Sequence, residues 1–545
     1  MKRYSILLLA FLSISSAYAQ DNSGSWKVEN SRSKSFIENL GQYDQEANET
    51  IGAIKYAADF GAARIYFGEK GISYNFRKVD KKSKAERLKI MSEPIKTFKD
   101  HKQKERLAGK FLVTTDEVNM NWFKPSSDVH IIAKGENSAY HSYSYPTGNG
   151  ETKSINYVKS YETITYKNIF PNIDVEYKMH PEIGLKYAFI LNPGAQLSDL
   201  RMLFDREFTI ENSEVHLPTL FGDIIDHAPI TFYQDNEAEI IESAYAYSKG
   251  GLTFKLEQYD ATRTIVIDPW VQTPDFNSPE TWDCIWELDY DNSGNVYVIG
   301  GIMPMQLKKY NSTGILQWTH DTPYDTTAWL GTMATDNVGN TYVTNGTSYE
   351  IQKVDAAGNV VWNNTNPSGG QISTEFWNIS FNCDQTRLLV GGTGGNLDIH
   401  GRIYDIDMNT GDINSSVMVT QPGNLFAIPP QLQEVRAMAA APNGKYYFLT
   451  LDTVGYISDN LTLCPGGSTS MLLDDHGIGW GYKSEKWRLN NTGIKAIRAD
   501  ANFVYVNRGD QLQKRSLVDF SIVGTVSIPG GQLESVFLGG NVSHN

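Results

Sequence analysis

The sequence predicts an all-β protein, a β-rich N-terminal domain followed by a β-propeller of four-stranded blades. The first observation behind this is a repeat. LDYDNSGNVYVIGG (Leu288–Gly301) with LKKYNSTGILQW (Leu307–Trp318) is followed by MATDNVGNTYVTNG (Met333–Gly346) with IQKVDAAGNVVW (Ile351–Trp362). Gly294 aligns with Gly339 and Trp318 with Trp362, a period of about 44–45 residues, the length of one propeller blade. The second is turn chemistry. Asp-Asn-Ser-Gly-Asn and Asp-Asn-Val-Gly-Asn sit between alternating apolar runs, and Asn and Gly accept positive φ cheaply, so each reads as a hairpin turn. The third is composition: 30 Tyr and 23 Phe, with many Tyr in alternating runs and little helical periodicity, favour strands. A single blade cannot cover both faces of its sheet; stacked neighbours can.

At 545 residues the chain is long enough for more than one core. Residues 1–19 read as a secretory signal peptide: Lys2-Arg3, the apolar run Ile6–Leu12 and the Ala17-Tyr-Ala19 cleavage site. Cleavage is expected before Gln20, and with no Cys at that site no lipid anchor is indicated. No later apolar run reaches ~18 residues, so no transmembrane segment is expected in the mature chain. The net charge of −15 argues against nucleic acid as a partner. Cys284, Cys383 and Cys464 fall one to a unit, which favours buried thiols over a disulfide framework.

The first domain is expected over residues 36–268. Strand signals start at Ile54–Ala57, Ala63–Phe67 and Gly71–Phe76. Residues 77–110 then carry 13 Lys or Arg against 5 Asp or Glu, a basic insertion of helical or solvated character. Strands resume at Phe111–Thr114 and Val129–Ile132 and run through Tyr140–Tyr145, Tyr157-Val158, Ile164–Tyr166, Ile173–Tyr177 and Leu185–Leu191. Residues 269–280 read as a linker. The propeller follows over 281–545 as five blade-like units and a fragment, Gly531–Leu538. Either Val271–Trp286 supplies a closing strand, or the ring is truncated at Asn545.

Three stretches carry a resemblance. FIENLGQYD (Phe36–Asp44), YKNIFPNIDVEYKMHPEIGLKYAFILNPGA (Tyr166–Ala195) and IVIDPW (Ile265–Trp270) resemble the N-terminal all-β domain of exported Bacteroidetes surface proteins. In those proteins the domain precedes a propeller of SBBP-type repeats, which the Leu288–Trp362 units also resemble. The resemblance implies an extracellular or outer-surface location and passage through a secretion machinery of the type IX, gliding-motility-associated group. It supplies no catalytic residues. No sorting domain of that group is recognised before Asn545.

Several residues qualify as site candidates. Asp289 and Asp291, with Ser293 and Asn295, space oxygens like the start of a calcium loop, as do Asp405 and Asp407 with Asn409. Neither run has the full ligand set, and a surface turn is the favoured reading. The insert Leu461–Gly481 gathers Asp474, His476 and Trp480 near Cys464, combining charge, hydrogen bonding and a stacking face, and is the expected ligand loop. Asp474-Asp475-His476 also reads as an ordinary polar loop, its adjacent carboxylates pointing to opposite faces. No HExxH, GxSxG, P-loop or CxxC motif is present. The leading expectation is a non-enzymatic exported binding or adhesion protein, with an extracellular glycan or protein as partner and no cofactor, calcium being the one candidate. The alternatives are a propeller glycosidase or lyase using Asp283, Asp398 or Asp474, and a scaffold for a further C-terminal domain.

Overall fold

The computed structural model describes residues 35–527 apart from 61–62, 84, 87–88, 90–110, 147–151, 181–183, 249, 275, 277–284, 301–304, 325–330, 347, 372–373, 382–384, 396–399, 419–434, 441–444, 451–453, 459–495, 508–510 and 520. The all-β expectation holds: strands make up nearly all the regular structure described. The strands from Phe36 to Gln272, one hairpin excepted, join a nearly closed, barrel-like sheet. Its longest pairing sets Gly71–Lys81 antiparallel to Phe111–Trp122. Gly71 is required there, because a Cβ would run into the Met120 carbonyl oxygen. Period-two alternation turns Phe67, Trp122, Tyr166, Tyr177 and Phe189 inward. Trp122 meets Phe189 edge-on at 5.9 Å between centroids, and Phe36 meets Phe67 at 5.2 Å, the geometry that ring quadrupoles favour.

The distinctive N-terminal stretches are structural in this sheet. Asn39 is a hub: its Nδ2 donates to the Ile54 carbonyl (2.8 Å) and to Asp44 (3.0 Å), while its Oδ1 accepts from the amides of Gly41 (2.9 Å) and Tyr43 (3.1 Å). Asp174 accepts from Lys167 Nζ (2.6 Å) and the Asn168 amide (2.9 Å), closing the turn around Asn168 and Asn172, both at positive φ. Asp268 takes Lys186 Nζ at 3.0 Å. The bonds to the Ile54 carbonyl and to the amides of Gly41, Tyr43 and Asn168 satisfy backbone groups that the strand ladder leaves without a partner.

Beyond Gln272 the strands form five successive small sheets. Blade one is Ile285–Tyr290, Val296–Gly300, Gln306–Tyr310 and Leu316–Asp321; blade two is Met333–Thr335, Thr341–Thr344, Ile351–Val354 and Val360–Asn364. Blade three is Glu375–Phe381, Leu388–Gly394, His400–Ile406 and Ile413–Met418. Blade four shows Val435–Ala440, Lys445–Thr450 and Val454–Ser458 among the described residues, and blade five Ala496–Ala499, Phe503–Asn507, Gln511–Ser516 and Ile522–Ser527. Gly294 and Gly339 occupy the same turn, between the first and second strands of their blades, at φ of 77° and 93°. The Gly531–Leu538 stretch lies outside the described residues.

Neighbouring blades are locked by a repeated device. Trp318 Nε1 and Lys309 Nζ of blade one both donate to the Ala356 carbonyl in a turn of blade two, at 3.2 and 2.8 Å. Trp362 Nε1 and Lys353 Nζ of blade two donate in the same way to Met408 in blade three, at 3.2 and 3.0 Å. Each Trp ring lies on a glycine, Gly358 or Gly411, where a Cβ would come within 2.8 Å of it. The device lapses afterwards. In blade three the strand register puts Asp405 and Ser415 in the Lys and Trp places, and in blade five it puts Lys514 and Gly524 there.

The structure departs from the sequence reading in three places. Trp270–Gln272, read as linker, is a strand of the first sheet, paired with Gly184–Leu191 and Gly222–Asp226. The first strand of blade one is therefore Ile285–Tyr290. The basic stretch begins inside the Gly71–Lys81 strand, not at a break after Phe76. The third departure is the excepted hairpin, Tyr140–Pro146 with Thr152–Val158: it belongs to the sheet of blade one.

Candidate functional site

That hairpin makes a joint. Tyr140–Pro146 pairs in parallel with Leu316–Asp321, the outer strand of blade one, setting Tyr140 opposite Trp318, His141 opposite Thr319, Ser142 opposite His320 and Tyr143 opposite Asp321. Blade one thus becomes a six-stranded composite sheet. Side chains alternate across a strand, so this sheet presents one face to the first domain and the other to blade two.

The face toward the first domain is built on Tyr143, whose hydroxyl lies 2.8 Å from that of Tyr43. Around the pair pack Ile37, Ile51, Ile54, Ala57, Tyr66 and Val158. Tyr145 donates to the Gly41 carbonyl at 3.3 Å, so Phe36–Asp44 serves as the socket for the hairpin. Ionisable groups line the same seam. Arg64 forks onto Asp59 at 2.6 and 3.0 Å, and Asp321 accepts from Gln306 Nε2 at 2.8 Å. Burial pushes the Asp321 carboxyl up to about 6, against the pull of Arg64 and Gln306. Burial holds His141 down to about 4, with Asp59 pulling upward and Lys308 and Arg64 pushing further down. Removing a charge from water outweighs the neighbouring charges in both cases.

The opposite face meets blade two. His320 is fully buried. Its Nε2 lies 2.9 Å from Gln352 Oε1, and Gln352 Nε2 donates to Ser144 Oγ at 2.9 Å. Burial holds His320 down to about 4, with Gln352 pulling upward. Asn363 donates to Thr152 at 2.7 Å and Asn359 to the Tyr157 hydroxyl at 2.7 Å. Tyr157 holds φ of 58°, a costly conformation for a non-glycine residue that is retained where surroundings fix it. Tyr140 donates to the Ala357 carbonyl.

Two further clusters lie in the first domain. Asp226 is buried and accepts from the Tyr187 hydroxyl at 2.5 Å. Burial pushes its carboxyl up to about 7, while hydrogen bonds from Tyr187 and Tyr245 pull it down. On the adjacent outer face His227 stacks on Trp270 at 3.7 Å and pairs with Glu214 at 2.5 Å, and His216 faces Asp223 at 3.4 Å. No group of three or more His, Cys, Asp or Glu is placed to hold a metal among the described residues.

The expected calcium candidates do not converge. Asp291 accepts the amides of Ser293 and Asn295 on one oxygen and Asn295 Nδ2 and the Tyr297 hydroxyl on the other. Asp336 and Asp355 close their turns in the same manner. Asp407 accepts the amides of Asn409 and Thr410. Asp289 accepts the Thr335 amide of blade two at 2.8 Å, and Asp405 pairs with Arg387 at 2.8 Å. Asp474, His476 and Trp480, the alternatives Asp283 and Asp398, and all three cysteines lie outside the described residues. The sequence reading missed the joint. Its one visible signal is the Tyr-rich alternation of Tyr140–Tyr145, which gives a strand without naming its partner.

A family described as a domain of unknown function (DUF7948) matches residues 36–270. No curated protein matches. Among solved structures, regucalcin, a calcium-binding protein from Agrobacterium tumefaciens, is similar at 14% identity and a TM-score of 0.31, over 47% of this chain and 78% of its own. The WD40 domain of Pan2 from Neurospora crassa is similar at 9% identity and a TM-score of 0.29, over 60% of this chain and 80% of its own. A protein of unknown function from Bacteroides caccae is similar at 17% identity and a TM-score of 0.28, over 44% and 76%.

Proposed function

We propose that this is an exported surface protein of the Bacteroidetes type, a non-enzymatic binder or adhesin whose propeller presents loops to an extracellular glycan or protein. The observation that carries the reading is the use to which the blades put their polar residues. The carboxylates of Asp291, Asp336 and Asp355 are committed to their own turns, and Lys309, Lys353, Trp318 and Trp362 to the next blade. A frame built this way leaves recognition to the loops, where new chemistry does not disturb packing. The N-terminal signal pattern supports export, and no helix among the described residues is long and apolar enough to cross a membrane. Asp474, His476 and Trp480 are the proposed ligand contacts. A glycan and protein-ligand panel read by mass spectrometry tests the reading. Retention without turnover is expected, and Ala at those three positions abolishes it with the unfolding midpoint nearly unchanged. Turnover of a polysaccharide would favour the glycosidase or lyase reading instead. N-terminal sequencing is expected to find a chain starting at Gln20; an intact Met1 on a cytoplasmic protein would refute export.

A further inference from the structure

The composite sheet encloses imidazoles in both of its seams. We propose that it is an acid-released joint: protonation of these imidazoles, His320 above all, lets the Tyr140–Val158 hairpin leave the edge of blade one and frees the first domain from the propeller.

The geometry is specific. His320 has no exposed surface, and its neighbours across the seams, Gln352, Ser142 and Ser144, are neutral. The Gln352 amide joins His320 to Ser144, so it ties blade two, blade one and the hairpin together. A proton added to His320 brings a charge into this chain with no carboxylate among those neighbours to meet it, and a buried unpaired charge is costly. Departure of the hairpin takes Ser142 and Ser144 away and opens that side of the ring to water. His141, partly exposed on the opposite face, is set among Asp59, Arg64 and Lys308, with Asp321 opposite Tyr143, two residues further along the hairpin strand. Tyr43 and Tyr143, which close that seam, are pushed further above their ordinary range by burial and stay neutral throughout.

The titrating groups do not all push the same way. A histidine held at about 4 against 6.5 when free favours the closed joint at neutral pH and loses that preference as pH falls from about 6.5 toward 4. Between pH 7 and pH 5 an imidazole that regains its free affinity on opening raises the open-to-closed ratio by at most roughly twentyfold, and His141, partly exposed while the joint is closed, by less. Asp321, held up to about 6 against 3.8, acts the other way: it favours closure on acidification, roughly tenfold over the same interval. His320 alone therefore leaves a net opening of up to about twofold, and both imidazoles together up to about fiftyfold.

Hydrogen exchange of the intact protein tests this, each amide rate being divided by its intrinsic rate at that pH. The amides of Tyr140–Tyr145 are compared with those of Ile173–His180, which lie inside the first sheet. From pH 7 to pH 5 the hairpin is expected to open more often, by up to about fiftyfold, with the reference strand lagging behind. His320→Gln should remove up to roughly twentyfold of that response; should that variant not fold, His141→Gln should remove a smaller part of it. A hairpin whose protection is constant or rises relative to the reference in the parent protein overturns the proposal, as does a folded His320→Gln protein that keeps the full response.

Discussion

Blade one is held on its two sides by different chemistry. Toward blade two its last two strands offer Lys309 and Trp318 to one carbonyl, a contact repeated a blade later by Lys353 and Trp362. Toward the first domain it offers Asp321 and a borrowed hairpin bearing His141 and Tyr143, a contact made once. The first seam rests on ring burial, on Lys309, whose affinity for the proton burial lowers, and on the buried contact of His320 with Gln352. The second rests on groups whose charge state changes between pH 4 and 7. The Trp and Lys lock recurs from blade to blade, while the hairpin that attaches the first domain is tied down by groups that titrate on both of its faces, His141 and Asp321 on one and His320, through Gln352, on the other.

The largest effect should fall on the repeated seam. Trp318→Ala removes a fully buried ring and its bond to Ala356 and is expected to destabilise the protein by about 3–5 kcal/mol, read by denaturant unfolding. A cost near zero would mean that the blade lock is ornamental. Next comes the conditional seam. Asp321 has its folded affinity raised from 3.8 to about 6, so it is neutral in the folded state over a range in which the unfolded chain is ionised. Its contribution to stability falls as pH rises from about 3.8 to about 6. Asp321→Asn should abolish this, gaining on the parent by up to ~3 kcal/mol between pH 4 and pH 7. Parallel pH profiles for parent and variant would contradict a carboxyl buried in the seam.

Tyr143→Phe deletes the hydroxyl that meets Tyr43 while keeping the ring, and should cost about 1 kcal/mol, with greater hairpin exchange and no change at the blade one to blade two contact. A change at that second contact would mean the two faces are not separate. The smallest effect is expected at Gly524, which takes the Trp place in blade five and where an added Cβ would meet nothing within 4 Å. Gly524→Ala should stay within about 0.5 kcal/mol of the parent. A large loss there would mean that blade five carries a lock of its own.

How far the sequence could be read follows the same division. The blade frame was legible because it repeats: Asp291, Gly294 and Asn295 recur as Asp336, Gly339 and Asn340, and the spacing to Trp318 and Trp362 recurs with them. The first domain was legible as strands, since Phe67, Tyr166, Tyr177 and Phe189 lie in alternating runs. Partners of strands were not. Tyr140–Tyr145 reads as a strand whichever sheet receives it, and its socket is formed by Tyr43 and Gly41, about a hundred residues earlier. Polar seam residues such as His320 and Gln352 look like surface positions in a sequence, because burying them depends on distant partners that no local period encodes. The Trp270–Gln272 strand was hidden by Pro269, which punctuates the chain without ending the sheet.

Whether the hairpin makes the first domain and the propeller one body can be decided by small-angle X-ray scattering of the full chain at pH 7. If it does, a single rigid arrangement of the two reproduces the curve. A curve that requires the two bodies to sample many separations at neutral pH would contradict the joint.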